Sequence, residues 1–196
     1  MNVNLSTYRP SGFDRGAGPL KESAWLIVSL LLFRLCPVSL SPLKRAAMRA
    51  FGAKIGRGVV IKPQVKITFP WKLEVGDFAW LGEECWLLNL APIAIGSHVC
   101  ISQRAFLCTG NHNYRLPSFD LIVKPIAVED GAWLGAACFV GPGVKVGSHA
   151  ILTACSMMSG DMEPWGIYQG NPAVFVKRRT LEMPQPAPVD KPLTVN

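Results

Sequence analysis

Residues 128–158 read VEDGAWLGAACFVGPGVKVGSHAILTACSMM. Within this stretch Val128, Leu134, Val140, Val146, Leu152 and Met158 fall at every sixth position. Gly135, Gly141 and Gly147 each follow one of these residues. The fifth position of each hexapeptide is small: Ala132, Cys138, Val144, Ala150 and Ser156. Neither the helical period of about 3.6 nor the strand alternation of about 2 gives such a series. A fixed period of six is the signal of a β-helix, in which each hexapeptide supplies one short strand and one turn.

The rhythm continues toward the N-terminus through Ile55, Ile61, Ile67, Val75, Leu81, Leu87, Ile95, Ile101 and Leu107. Three hexapeptides close one triangular coil, so the whole series predicts an all-β solenoid of about five coils. The aliphatic residue points inward and stacks on its equivalents above and below. The small fifth position also faces the interior, near a corner, and glycine gives the backbone its turn geometry. Cys85 and Cys138 occupy fifth positions and read as small buried hydrophobes.

Breaks in the rhythm are informative. Two-residue insertions, Leu73-Glu74 and Ile93-Ala94, fall between coils. A longer break spans 113–127, and its NYRLPSFDLIVKP run cannot continue the repeat. A long loop on a compact solenoid is usually functional. It starts directly after His112, and at Asn111 the rule of a small fifth residue fails. Departures from a repeat mark the place to look for function.

The N-terminal quarter predicts two helices, about Glu22 to Leu35 and Pro42 to Phe51, with Ser41 as N-cap of the second, Pro42 at its first position and Gly52 just past its end. The first is apolar on nearly all sides but too short to cross about 30 Å of hydrocarbon. The second carries Lys44, Arg45 and Arg49. The pair fits a cap over one end of the solenoid. It also fits peripheral contact with an anionic membrane surface, and the two readings are compatible. The expected organisation is a helical segment 1–54, a β-helix domain 55–179 with the loop 113–127 extruded, and a flexible proline-rich tail 180–196.

Of 196 residues, 49% are hydrophobic and 17% charged, which excludes a disordered chain. The net charge of +7 is concentrated in residues 1–54, which hold eight Lys/Arg against Asp14 and Glu22. Basic and aromatic residues do not interleave along a fold face, which argues against nucleic acid as a partner. The six cysteines form no CxxC pair, and the N-terminus lacks signal-peptide layout. Reduced thiols and a cytoplasmic location, at the inner face of the membrane if the helices touch it, are expected.

The hexapeptide series, the loop extruded after TGNH, the GAWLG restart and the closing GNPAVFVKRR together resemble the hexapeptide-repeat acyltransferases. Within them, the group assigned to colanic acid biosynthesis as O-acetyltransferases is most similar, including the lead-in FGAKIGRGVVI, and the match covers about residues 20–179. The resemblance implies a left-handed parallel β-helix, a homotrimer with active sites between subunits, and acetyl-CoA as co-substrate with no metal. It places the catalytic base at His112, the alternative being an ordinary turn residue. Asn89 matches an acceptor-binding position, although a stacked corner asparagine is equally consistent. Asn111, Phe119 and Asp120 belong to the implied acceptor side. Trp133 matches an aromatic at the loop's return, bordering the pantetheine arm or simply packing. Ala136, Ala154 and Ser159 are implied CoA contacts, with Asn171 of the GNPA segment near the adenine. Lys177 and Arg178, beside Arg179, suit the phosphates. Val174 and Gly160 depart from the pattern, standing where relatives often carry a cation. His98 and His149, each the fourth residue of a hexapeptide, read as solvent-facing turn residues.

The implied activity is transfer of an acetyl group to a sugar hydroxyl, for polysaccharide or glycolipid assembly, by direct attack on the thioester. Two alternatives use the same fold: a zinc enzyme like the γ-class carbonic anhydrases, which needs three His ligands from two subunits, and a non-catalytic scaffold, which leaves the His112 loop unexplained.

Overall fold

The structure, a computed structural model, describes residues 2–8, 13–34 and 36–182. The expected helix end at Leu35 and the proline-rich tail from Met183 lie outside the described residues. From Lys54 to Met158 the chain winds as a parallel β-helix with three faces. On the first face Ile55, Val75, Ile95, Val128 and Val146 are register partners in successive coils. Ile61, Leu81, Ile101, Leu134 and Leu152 align on the second face. Ile67, Leu87, Leu107, Val140 and Met158 align on the third. None of these fifteen is more than 8% exposed. Each contributes roughly 1.5–3 kcal/mol of burial, so the six-residue period is also the main source of stability.

The corners follow from the fourth position. Gln64, Phe78, Glu84, His98, Arg104, Ala137, His149 and Cys155 hold φ between 55° and 60°, left-handed geometry that is costly without glycine. Stacking between coils offsets that cost in places. The Phe78 and His98 rings stack with centroids 5.4 Å apart, and His149 and Trp165 with centroids 4.2 Å apart. His98 and His149 are therefore turn residues, as expected. The glycine after each aliphatic has a different role from the one expected. Gly135 has no positive φ; a Cβ there would lie 2.5 Å from the Ala154 nitrogen in the next coil. Glycine at that position serves the close approach of neighbouring coils rather than turn geometry.

Three boundaries differ from the sequence reading. The extra residues Leu73 and Ile93 are drawn into three-residue first-face strands and point inward, both 1% exposed. The extruded segment is a β-hairpin, Gly110–His112 pairing antiparallel with Leu121–Val123, and the solenoid resumes at Ile126 rather than after Ala127. Above the fifth coil two sides of a sixth are present. Met162 bridges to Val146, and Gly166–Gly170 adds to the second face before the antiparallel strand Ala173–Arg178. This partial coil is out of step with the hexapeptide series, because its first inward residue, Met162, follows Met158 by four residues rather than six; Tyr168 then follows six later.

The N-terminal helices close the opposite end. Helix α1 spans Pro19–Ser29 and continues as a π-helical turn, Leu30–Arg34; helix α2 spans Ser41–Ala50. Helix α2 ends as expected, with Gly52 at φ +102° and the Ala53 N–H bonded to the Met48 carbonyl. Its N-cap is Leu40, not Ser41; the Ser41 hydroxyl donates instead to the Val38 carbonyl and accepts from the Ile61 N–H. The first coil would otherwise leave a row of carbonyls unpaired. Arg49 donates to the carbonyls of Ile55 and Gly56, Arg45 to Val59, Lys44 to Ile61, and the Trp25 indole to Ile67. The basic helix thus commits its cations to the edge of the β-helix. Lys44 is fully buried, and burial pushes its ammonium pKa down.

Candidate active site

The corner between the third and first faces carries the hairpin. Asn111 and His112 end its outgoing strand, opposite Ile122 and Leu121. The hairpin folds back on the histidine. The His112 Nδ1 lies 2.8 Å from the Phe119 carbonyl oxygen, and the two rings stack with centroids 4.5 Å apart and planes 11° from parallel. A carbonyl only accepts, so Nδ1 carries a proton, and in the neutral ring the lone pair is then on Nε2. Phe119 holds φ +55°, and that left-handed turn aims its carbonyl at the imidazole. The Asp120 carbonyl accepts from the Asn113 N–H, closing the same turn. Asn111 Oδ1 accepts from the His112 N–H at 2.8 Å. His112 is half-buried, its ring centroid 6.1 Å from that of Tyr8, while the Asn4 N–H bonds to the Pro117 carbonyl at 2.8 Å. The N-terminal segment therefore lies against the hairpin, a contact that nothing in the sequence signalled.

Asn89 takes the corner role of its two readings. It is fully buried; Oδ1 accepts from the N–H groups of Thr68 and Phe69, and Nδ2 donates to the Phe69 carbonyl. In the coil above, Thr109 acts similarly, accepting from the Ala91 N–H. These two buried polar residues shape the wide corners beneath the hairpin.

The residues implied for CoA lie elsewhere on the prism. Trp133 stands on the second face, 45% exposed, with Nε1 donating to the Ser102 hydroxyl. Ala136 and Ala154 occupy equivalent places in successive coils at the corner between the second and third faces, where the Ala136 carbonyl accepts from the Cys155 N–H. Among the described residues neither alanine N–H has a partner, so this corner offers donors to a ligand; Glu83 and Gln103 below them share the feature. The Gly170 N–H bonds to the Ser156 hydroxyl, which brings the following Asn171 to this corner. Ser159 is exposed at the corner where the fifth coil ends. Lys177 and Arg178 are exposed at the far end of the last strand, across from Ile167 and Gly166. Arg178 is 3.4 Å from Glu163, and Arg179 turns back to bond the carbonyls of Gly131 and His149. The expected basic cluster is thereby divided: Arg179 is a corner staple. One chain holds the hairpin set and the Ala136–Ala154 set on different corners and does not bring them together.

No protein-family model matches the chain. Over 170 residues it is 40% identical to a protein of Escherichia coli (strain K12) named "Putative colanic acid biosynthesis acetyltransferase WcaF", covering 87% of this chain and 93% of the relative. It is 25% identical over 166 residues to the galactoside O-acetyltransferase of Lactococcus lactis, covering 81% of this chain and 78% of that one. The crystal structure of the hexapeptide-repeat acetyltransferase VCA0836 from Vibrio cholerae, complexed with acetyl-CoA, superposes with a TM-score of 0.74 at 25% identity, over 91% of this chain and 98% of the other. The stacked coils, the hairpin after the third coil and a 40% identical relative matched over nearly its full length lead to one conclusion: the chain belongs to the hexapeptide-repeat acetyltransferases and is an acyltransferase.

Proposed function

We propose that the protein transfers an acetyl group from acetyl-CoA to a sugar hydroxyl in polysaccharide or glycolipid biosynthesis, with His112 as general base. The observation that carries this reading is the hydrogen bond from His112 Nδ1 to the Phe119 carbonyl, which leaves Nε2 free at the root of the hairpin. A sugar hydroxyl is a weak nucleophile at neutral pH. As its oxygen attacks the thioester carbonyl, the hydroxyl proton passes to Nε2; the C–O bond forms, the C–S bond breaks, and the imidazolium returns the proton to the departing thiolate. No covalent enzyme intermediate is needed, because the thioester is already activated.

The acceptor side of this site is the hairpin, with Asn111, Phe119 and Asp120 around His112. The donor side is the corner of Ala136 and Ala154 with Trp133 and Asn171, whose free N–H groups suit the amide-bearing pantetheine arm; Ser159, Lys177 and Arg178 supply further CoA contacts, the cations to its phosphates. Because the two sides occupy different corners, the reading requires a homotrimer in which one subunit's hairpin meets its neighbour's donor corner. The sugar O-acetyltransferase among the relatives supports a saccharide acceptor. In this reading residues 55–179 are the catalytic unit and 1–54 its end cap, a role supported by the engagement of Arg45 and Arg49 with the solenoid edge.

The test is thiol release from acetyl-CoA with a panel of saccharides, for wild type and His112→Ala. Acceptor-dependent release that falls at least about a hundredfold in the variant supports the reading. Unchanged turnover removes His112 as the base.

A further inference from the structure

From Ala24 to Phe33, helix α1 and its π-helical extension are apolar on nearly all sides, yet only one side is covered. Trp25 and Phe33 are buried against the first coil, whereas Leu20, Ile27 and Leu31 are 89%, 59% and 56% exposed. Beside them Leu26 and Leu30, also exposed, form one wall of a groove of about 350 Å³ whose other wall is the Gln64–Ile67 edge of the first coil. Two cations, Arg34 and Lys66, stand in this groove, and no carboxylate lines it. Neither makes an ion pair among the described residues. Lys66 lies over the Trp86 ring, and Glu84, whose carboxylate its charge also favours, is paired with Arg104.

An apolar strip of this size is not a neutral feature of a soluble surface. No described helix is long and apolar enough to cross a membrane. A helix apolar on its outer face and flanked by cations suits the plane of a lipid interface, where leucines enter the acyl boundary and arginine or lysine meets anionic headgroups. A twofold pairing of two copies through this strip would bring like-charged Arg34 and Lys66 rims together, which disfavours a second copy as occupant.

We infer that the outer face of α1, with its Arg34–Lys66 groove, is a docking surface for an anionic phospholipid bilayer, which would hold the acyltransferase beside membrane-borne acceptors. The inference goes beyond the acetyl-transfer reading and is measured without acetyl-CoA or acceptor, so either can fail alone.

The experiment is co-sedimentation of the full-length protein with vesicles of phosphatidylcholine, with and without added phosphatidylglycerol, alongside light-scattering mass and thermal melting in the absence of lipid. The expected result is binding to the anionic vesicles that weakens with salt. Arg34→Glu and Lys66→Glu should each weaken it at least about fivefold, and Ile27→Glu with Leu31→Glu should abolish it while mass and melting stay unchanged. Absence of binding at all lipid concentrations overturns the inference, as does equal, salt-insensitive binding to neutral vesicles. A fall in oligomer mass in the Ile27→Glu, Leu31→Glu variant also overturns it, because the strip would then be an interface between copies.

Discussion

The imidazole of His112 is held from two directions by one residue: the Phe119 carbonyl bonds Nδ1 at 2.8 Å, and the Phe119 ring stacks on it with centroids 4.5 Å apart. The carbonyl sets the tautomer and the ring limits rotation. Phe119→Gly keeps the carbonyl and suits φ +55°, but removes the stack. We expect turnover to fall about tenfold with little change in melting temperature, because near-attack geometry loosens while the tautomer persists. Phe119→Ala should melt lower than Phe119→Gly, since alanine is strained in left-handed backbone. Steady-state kinetics and calorimetry on the pair check both statements.

If each active site is shared, inactivity is a property of corners rather than of chains. Mixed oligomers of His112→Ala subunits with Ala154→Asp subunits should recover some of the wild-type rate, although each parent oligomer is inactive. Activity of refolded or co-expressed mixtures is the measurement. Mixtures no more active than their parents would place the whole site within one chain.

Asn89 satisfies two N–H groups and one carbonyl in a corner with no water-accessible surface of its own. Asn89→Ala leaves the Phe69 N–H unpaired, while the Thr68 N–H keeps the Leu87 carbonyl and the Phe69 carbonyl keeps the Lys72 N–H. The expected loss is about 1–3 kcal/mol, the cost of one stranded buried donor. Urea unfolding monitored by far-UV circular dichroism reads it directly.

Burial pushes the thiols of Cys85 and Cys138 up to about 12, from an ordinary value near 9. The folded state therefore keeps two protons that the unfolded chain releases. Their stabilisation is complete below pH 9 and is lost as pH rises through the window from about 9 to about 12. The slope should be about 1.4 kcal/mol per pH unit for each thiol. Alanine already fills this fifth position at Ala79, Ala105, Ala132 and Ala150. The Cys85→Ala, Cys138→Ala double variant should fold and show a flatter alkaline limb in denaturant titrations.

The six-residue period was legible because it is imposed by geometry that tolerates few substitutes. An inward aliphatic and a small corner residue recur wherever a coil closes, and Leu107 or Val140 can be assigned to the core from spacing alone. The root of the hairpin at His112 was legible for a related reason: Asn111 breaks the small-residue rule immediately before it. What escaped the sequence was set by contacts between distant segments. Nothing local says that Arg49 will bond the Ile55 carbonyl, that Arg179 will staple the His149 corner, or that Asn4 will reach Pro117. The partial sixth coil escaped for another reason, since Met162 follows Met158 by four residues and throws the coil out of step with the period of six.

The guanidinium and ammonium groups at one end of the stack and the reversed Ala173–Arg178 strand at the other make this molecule finite. A parallel coil is its own template, and an open rim invites another chain to continue the winding into a fibre. Stoppering both rims confines growth to the number of turns written in the gene. Whole turns could then be spliced in or out between the stoppers, lengthening or shortening the prism without giving it a sticky end.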